Sequence, residues 1–531
     1  MNLSLNRASI HENVFFGLLV IMIIGMQFSH FLVSLSMILM SANYLLEGKY
    51  IQKAKFVWKN YTILLFVGFF ALHILGLWWS TDLDFGNHDV QIKLPLFALP
   101  MAIGSSSKLS AKKFEWVLLF FLATSLLSSI IGSVIYFVLS NPGDDYRLMS
   151  PYMSHIRLSL MMGVAVFSSF YLSKKSIQWQ KFKTWFIALG FWFIIYLFML
   201  RAMSGIVAVI GAGFTLLWII SSRQKLKFHK TIKLMLVGLA LISVVYVSWQ
   251  VSAFYKFEQI DKTQLEKRSP SGEWYVFDFK STSVENGNYV NIYIAKEELK
   301  RTWNGISKYP FDGLDTRKQP LKHTLIRYLT SKGLRKDSIG VKSLTQEDIW
   351  AIENGIANHR YLNNKSINTL IYRYTWEMYQ YQNGNNPQGN SLAQRFLFWK
   401  IGLEILQDNW LYGVGTGDVQ LAFDQKYDNL SFTVQEKYQL RAHNQYLTFA
   451  LTFGVFGFFY FIWMLFSGFS VKPNSNSFLF IGSFIILLIS MLNEDTFETQ
   501  FGITYALFFY FLFLFHQPLP TELKKLKNSE K

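Results

Sequence analysis

The chain has 531 residues, 51% of them hydrophobic, 18% aromatic and 16% charged, with a formal net charge of +17. So low a charged fraction excludes an ordinary soluble protein, in which about a quarter of residues are charged. The absence of cysteine excludes a disulfide framework and a thiolate metal site.

The apolar residues come in blocks of roughly 16–25, the length that crosses a hydrocarbon core about 30 Å thick at about 1.5 Å per residue. In chain order the predicted spans are 13–28, 30–46, 61–79, 91–105, 115–139, 157–172, 184–200, 203–220, 232–249, 443–467, 476–492 and 500–516. Pro95 and Pro100 interrupt the fourth. The start MNLSLNRASIHEN leads into the first block with no small-residue cleavage site, so that helix is expected to be retained. The reading is an all-α polytopic membrane protein with about twelve transmembrane helices.

The cations alternate between connections. One set carries Lys49, Lys53, Lys55 and Lys59, then Lys108, Lys112 and Lys113, then Lys174, Lys175, Lys181 and Lys183. Arg223, Lys225, Lys227, Lys230 and Lys233 follow, then Lys472 and the tail Lys524, Lys525, Lys527 and Lys531. The other set, 81–89, 141–151 and 492–500, is acidic or nearly free of lysine. Positive-inside bias then places both termini in the cytoplasm, and it accounts for the net charge without nucleic acid.

The expected organisation is a transmembrane bundle of about nine spans over 1–249, a periplasmic domain over 250–442, about three further spans over 443–516 and a basic tail over 517–531. WYVFDF (274–279) and YVNIYI (289–294) read as strands around the turn-rich ENGN, a small β-hairpin. The rest of that domain reads as mostly helical, through PLKHTLIRYLTSKGL, TQEDIWAIENGIANH, NTLIYRYTWEMYQYQ and SLAQRFLFWKIGLEILQ. Ser391 and Gln394 stand at capping-box spacing at the start of the last.

Several cation-capable groups collect at the outer ends of spans. His443 opens AHNQYLTFALTFGVFG, and Arg201 occupies a tight link between two spans. His155 and Arg157 begin SHIRLSL, while Arg395 lies on the last helix of the outer domain. Arginine and lysine at helix ends often only snorkel toward headgroups. A helix N-terminus disfavours a cation, however, so a histidine there is kept neutral and available as a base. GVGTGD (413–418) lacks the lysine of a phosphate loop and reads as a tight turn. Asp82 and Asp84 form a D-x-D pair, and His73 is the ionisable group nearest the middle of a span, where a structural hydrogen bond fits better than proton relay.

Arg395-x-x-x-Trp399, then GVGTGD, then AHNQYLTFALTFGVFG with Gly454 and Gly457, together resemble the C-terminal signature of the O-antigen ligase family. SHIRLSL and TLIRYLTSKGLRKDS look like its Bacteroidetes-type members. The resemblance implies a GT-C-like glycosyltransferase of the bacterial inner membrane, free of metal and cofactor. It would take a glycan from undecaprenyl diphosphate and pass it to a periplasmic acceptor such as lipid A–core, with membrane lipids as its surroundings. The roles it implies are His443 as base, Arg395 and Arg201 at the diphosphate, and Arg157, His155, Asn444 and Trp399 in substrate binding. Relatives often set the arginine beside a small residue; here Arg201-Ala202-Met203-Ser204-Gly205 leaves position 201 or 203 open for that role. An O-antigen polymerase and a protein O-oligosaccharyltransferase share the signature. A lipid-glycan transporter is the reading outside the family.

Overall fold

Serine, threonine and asparagine side chains start many of the helices. In the computed structural model, Ser29, Ser110, Ser154, Asn444, Ser477 and Thr499 each accept a backbone N–H of the first turn that follows. An N-cap of this kind satisfies one of the four N–H groups that a helix start leaves unbonded. The structure describes residues 7–140, 145–223, 228–257, 260–261, 265–363, 366–430, 432–472 and 474–519. The basic residues 524–531 of the tail lie outside them.

Among the described residues, eight helices are long and apolar enough to cross a membrane: Arg7–Phe28, Tyr61–Trp79, Ala111–Leu139, His155–Lys175, Gln180–Met199, Met203–Ser222, His229–Phe254 and Gln445–Ser470. A ninth candidate, His30–Leu46, runs into Tyr50–Lys59 through a 113° bend. The other three predicted spans are short or broken. Phe478–Ser490 and Gln500–His516 are shorter apolar helices. The 91–105 stretch divides into the end of Leu83–Lys93, the short helix Pro95–Leu99 and a π turn at Pro100–Gly104. Each proline lacks an N–H to continue the ladder, which explains the breaks.

The chain forms two compact units, Met1–Lys233 with Phe398–Lys531, and Leu234–Leu397. In the first, His155–Lys175 is the most enclosed long helix. Its Ser159, Ser168, Ser169 and Ser173 are buried, and small side chains of this sort let helices approach closely in lipid. His73 packs edge-on against the rings of Phe69, Phe449 and Phe453, and its Nδ1 lies 2.8 Å from the Phe69 carbonyl oxygen.

The second unit buries Leu299, Trp303, Phe311, Leu325, Tyr328 and Ile352 among the helices Lys296–Asn304, Leu321–Ser331, Ser338–Lys342 and Gln346–Glu353. Its hairpin is smaller than the sequence predicts. Val284–Glu285 pairs antiparallel with Asn288–Tyr289, and Asn286 and Gly287 both have positive φ, as a tight two-residue hairpin turn requires. Beyond it, Val276 and Ile294 form only an isolated bridge. Tyr293, at φ 55°, breaks the extended run.

The capping box expected at Ser391 is absent, because the helix already includes Ser391. The Gln394 N–H bonds the Asn390 carbonyl, and the buried Glu377 carboxylate takes the Leu392 N–H at 3.2 Å. A capping box does form at Thr345 and Asp348.

Candidate functional site

His443 sits two residues before the Gln445–Phe466 helix, half-buried, with φ 46°. That left-handed conformation is uncommon outside glycine, and it persists only where neighbours impose it. Asn444 caps the helix by accepting the Leu447 N–H at 3.1 Å. Gln445 donates its backbone N–H to the Met491 carbonyl and its side-chain amide to Glu498 Oε1, and its own amide oxygen takes the Phe497 N–H. The His443 backbone N–H bonds the Asp495 carboxylate. The imidazole ring lies 5.9 Å from the Phe398 ring.

All but one of these hydrogen bonds end in one short acidic connection, residues 491–499, which the charge pattern marks, as 492–500, only as an acidic, lysine-poor loop. The same connection reaches further. Lys93 Nζ lies 3.0 Å from Glu498 Oε2 and 3.0 Å from Asp89 Oδ1, with the lysine only 1% exposed. Arg441 donates to Glu498 Oε2 at 3.0 Å, and Thr448 Oγ1 donates to Asp495 at 2.8 Å. Burial raises the Glu498 carboxyl, but Lys93 and Arg441 outweigh it and hold it down at about 2. Burial, helped by Glu498, pushes Asp495 up to about 6 against the pull of Arg441. Burial likewise raises Asp89. Three carboxyls thus share two cations; burial, with the charge of Glu498 added to it, raises two of them, while the third stays low.

The cations singled out in the first unit attach to the same loop or near it. Arg157 Nη2 donates to Thr499 Oγ1 at 2.8 Å and its guanidinium lies 5.5 Å from the Phe501 ring centre. Arg201 is exposed on its turn, at φ 50°, with its guanidinium 5.6 Å from the Tyr146 ring. His155 packs edge-on against that ring at 5.9 Å. Three residues after Arg201, Ser204 Oγ accepts from the Asn493 amide at 2.9 Å. Met203, the other candidate for the arginine position, is 38% exposed. Arg395 belongs to the second unit, where it is half-buried, donates to the Ser391 carbonyl at 3.3 Å and faces the charge of Glu377.

Lys93 and the 491–499 acids are the residues that sequence reasoning missed. A signal was present: Asp89 and Lys93 stand four apart, the spacing of a helical ion pair, at the start of an apolar run.

GVGTGD is a brace. The Gln445–Phe466 helix breaks at Gly454, φ 67°, where a Cβ would strike the Leu411 carbonyl. The break frees the Leu451 and Thr452 carbonyls, and the Val414 and Gly415 N–H groups bond them at 2.9 and 3.0 Å. Gly413 is confined in turn, since a Cβ there would meet the Leu451 and Thr452 backbone. Thr416 Oγ1 donates to the His73 carbonyl, and the Asp418 carboxylate accepts the N–H groups of Thr81 and Asp82. Irregular backbone in an apolar setting needs such internal partners. Asp82 itself caps its helix through the Phe85 N–H. Among the described residues no group of three or more His, Asp or Glu side chains could hold a metal ion.

Trp399, Leu403, Trp410, Tyr446, Leu447 and Phe458 line an apolar groove of about 550 Å³ that Asn444 also borders. That volume lies within the usual range for a ligand site. Residues 356–462, which contain Trp399, the glycine brace, His443, Asn444 and the groove, match the family model described as O-Antigen ligase. No curated protein sequence matches the chain.

Proposed function

The chain carries the O-antigen ligase family segment at residues 356–462, and from that premise we propose that it transfers a glycan from a polyprenyl diphosphate carrier to an acceptor hydroxyl at the membrane surface. The observation that carries this reading is the apolar groove bordered by Asn444, the residue next to His443. A lipid tail in the groove brings its diphosphate head to the depth of the imidazole.

In the proposed reaction His443 takes the proton of the acceptor hydroxyl. The acceptor oxygen forms a bond to the anomeric carbon as the bond from that carbon to the phosphate oxygen breaks. The carrier departs as its diphosphate, and guanidiniums of Arg395, Arg201 and Arg157 offset the charge that builds on it, since planar forks match phosphate oxygens and stay protonated. Attack opposite the leaving group inverts the anomeric centre. Trp399 and Asn444, both on the groove wall, hold the substrate. The lipid A–core acceptor, the twelve-span count and the periplasmic position of the 250–442 segment belong to the same proposal.

The test uses the purified chain with a polyprenyl-diphosphate-linked oligosaccharide and an acceptor glycolipid, in the presence of a chelator. Transfer with inverted configuration, lost in His443→Ala, is the expected result. A retained configuration, or lipid flipping without transfer, overturns the reading. Deleting the gene separates ligase from polymerase: loss of a ligase strands long chains on the carrier, whereas loss of a polymerase leaves single repeats on the acceptor.

A further inference from the structure

The Tyr50–Lys59 helix leaves His30–Leu46 at 113°. Gly48 and Lys49, at φ 74° and 57°, make the elbow. It is braced from both sides. Lys53 Nζ pairs with Glu47 at 2.9 Å and lies 4.0 Å from the Tyr44 ring centre, and the Tyr50 hydroxyl donates to the Leu45 carbonyl at 2.7 Å.

At about 100° per residue the helix divides into three main sectors, with Phe56, 40% exposed and 6.2 Å from the Phe515 ring, between the third and the first. One, with Lys53 and Val57, is buried against the protein. The next presents Tyr50, Ile51, Ala54 and Trp58, of which Ile51 is 74% and Trp58 77% exposed. The third presents Gln52, Lys55 and Lys59, all exposed, and the helix contains no acidic residue. Its exposed lysines make no ion pair among the described residues.

We propose that this helix is an anionic-lipid-binding foot that lies along one leaflet, its apolar sector at the acyl boundary and Lys55 and Lys59 on phosphate headgroups. An apolar strip beside a basic strip, with tryptophan at the edge, is what a helix in the plane of the interface requires. The charge selects the occupant: an outer sector of two lysines and a glutamine, on a helix without an acid, complements an anionic lipid surface. The braced elbow fixes the angle before lipid arrives.

The chain has no cysteine, so Trp58→Cys and Lys55→Cys each give one thiol for a fluorescent label. The full chain is placed in nanodiscs of phosphatidylcholine with or without phosphatidylglycerol. A label at 58 is expected to be quenched by lipid carrying a nitroxide near the acyl carbonyl and shielded from iodide, while a label at 55 stays open to iodide. Equal iodide access at both positions overturns the proposal. So does quenching of both only by a nitroxide at the acyl end, which marks a re-entrant helix. Shielding of 58 without lipid quenching puts protein there and also overturns it. In a second measurement, Lys55→Gln and Lys59→Gln are each expected to lower the preference for spin-labelled phosphatidylglycerol over phosphatidylcholine about fivefold; an unchanged preference refutes the anionic part. Glycan transfer enters neither readout.

Discussion

Glu285, in the second unit, is fully buried, and Arg327 donates to its Oε1 through Nε at 2.7 Å while Asn358 donates to Oε2 at 2.6 Å. The Arg327 guanidinium rests 4.6 Å from the Trp376 ring centre. One acid meets one base, and the hairpin is thereby locked to its helices. Glu498, in the first unit, is also buried, with Lys93 and Arg441 on one oxygen. Yet Asp89 and Asp495 crowd the same cations, and Asp495 holds the backbone of His443. The two clusters differ in how many acids each cation must serve. Burial raises the acid of the one-to-one pair as well; the crowded cluster differs in that one of its raised carboxyls, Asp495 at about 6, bonds the backbone of the candidate base.

The largest expected effect falls on His443 itself. His443→Ala is expected to lower turnover in the purified transfer assay by about 10²–10⁴-fold, the usual contribution of a general base, with no change in the melting temperature of the detergent-solubilised protein. Glu285→Ala is its converse. It leaves Arg327, whose side chain is 31% exposed, and the Asn358 amide without their partner at a cost of about 1–3 kcal/mol, so folded yield falls while turnover per folded molecule is kept. Loss of turnover there would erase the distinction between the clusters.

Glu498→Gln is expected to do both. It uncouples Lys93 and Arg441, destabilises by about 3–5 kcal/mol, and loosens the 491–499 loop that fixes His443. Thermal melts beside the transfer assay read the two effects separately. If activity per folded molecule survives, the loop does not position the histidine.

Asp495 gives a smaller, pH-dependent effect. Its folded pKa is raised from 3.8 to about 6, so its favourable contribution is complete below about pH 4 and fades as pH rises through 6. Asparagine carries no charge at any of these pH values. Asp495→Asn should therefore gain stability relative to the unmodified chain as pH rises from 4 to 7. Glu498 runs the other way: its pKa is lowered from 4.5 to about 2, so its contribution holds above about 4.5 and is lost as pH falls through 2. A flat difference between the two proteins across pH 4–7 would show that Asp495 is not held as the geometry states.

Much of this was readable from the residues in order. Apolar blocks located the long helices, because length and hydropathy are local properties. Prolines 95 and 100 flagged the broken span. GVGTGD was recognisable as a tight turn, but its partners Leu451, Thr452 and Thr81 lie far along the chain or across a break that only Gly454 hints at. The acid cluster escaped for the same reason. Lys93 lies hundreds of residues before Arg441 and Glu498, which are themselves 57 apart, and counting charges by connection assigns each to a loop without pairing them. The strands predicted over 274–279 and 289–294 shrink to a short hairpin and an isolated bridge, because alternation cannot foresee Tyr293 turning left-handed.

The smallest predicted effect tests that last kind of error at two helix starts. Thr345 and Asp348 exchange both capping hydrogen bonds, so Thr345→Ala is expected to cost the second unit about 1 kcal/mol. Ser391 has the same spacing to Gln394 in sequence, but it stands inside its helix, and the Leu392 N–H is already taken by Glu377. Ser391→Ala should then change stability by less than about 0.5 kcal/mol, as an ordinary surface substitution does. Glu377→Gln, which weakens the bond to Leu392, should cost more than Ser391→Ala. Urea unfolding of the three variants ranks them, and a Ser391 effect as large as that of Thr345 would restore the serine as the cap.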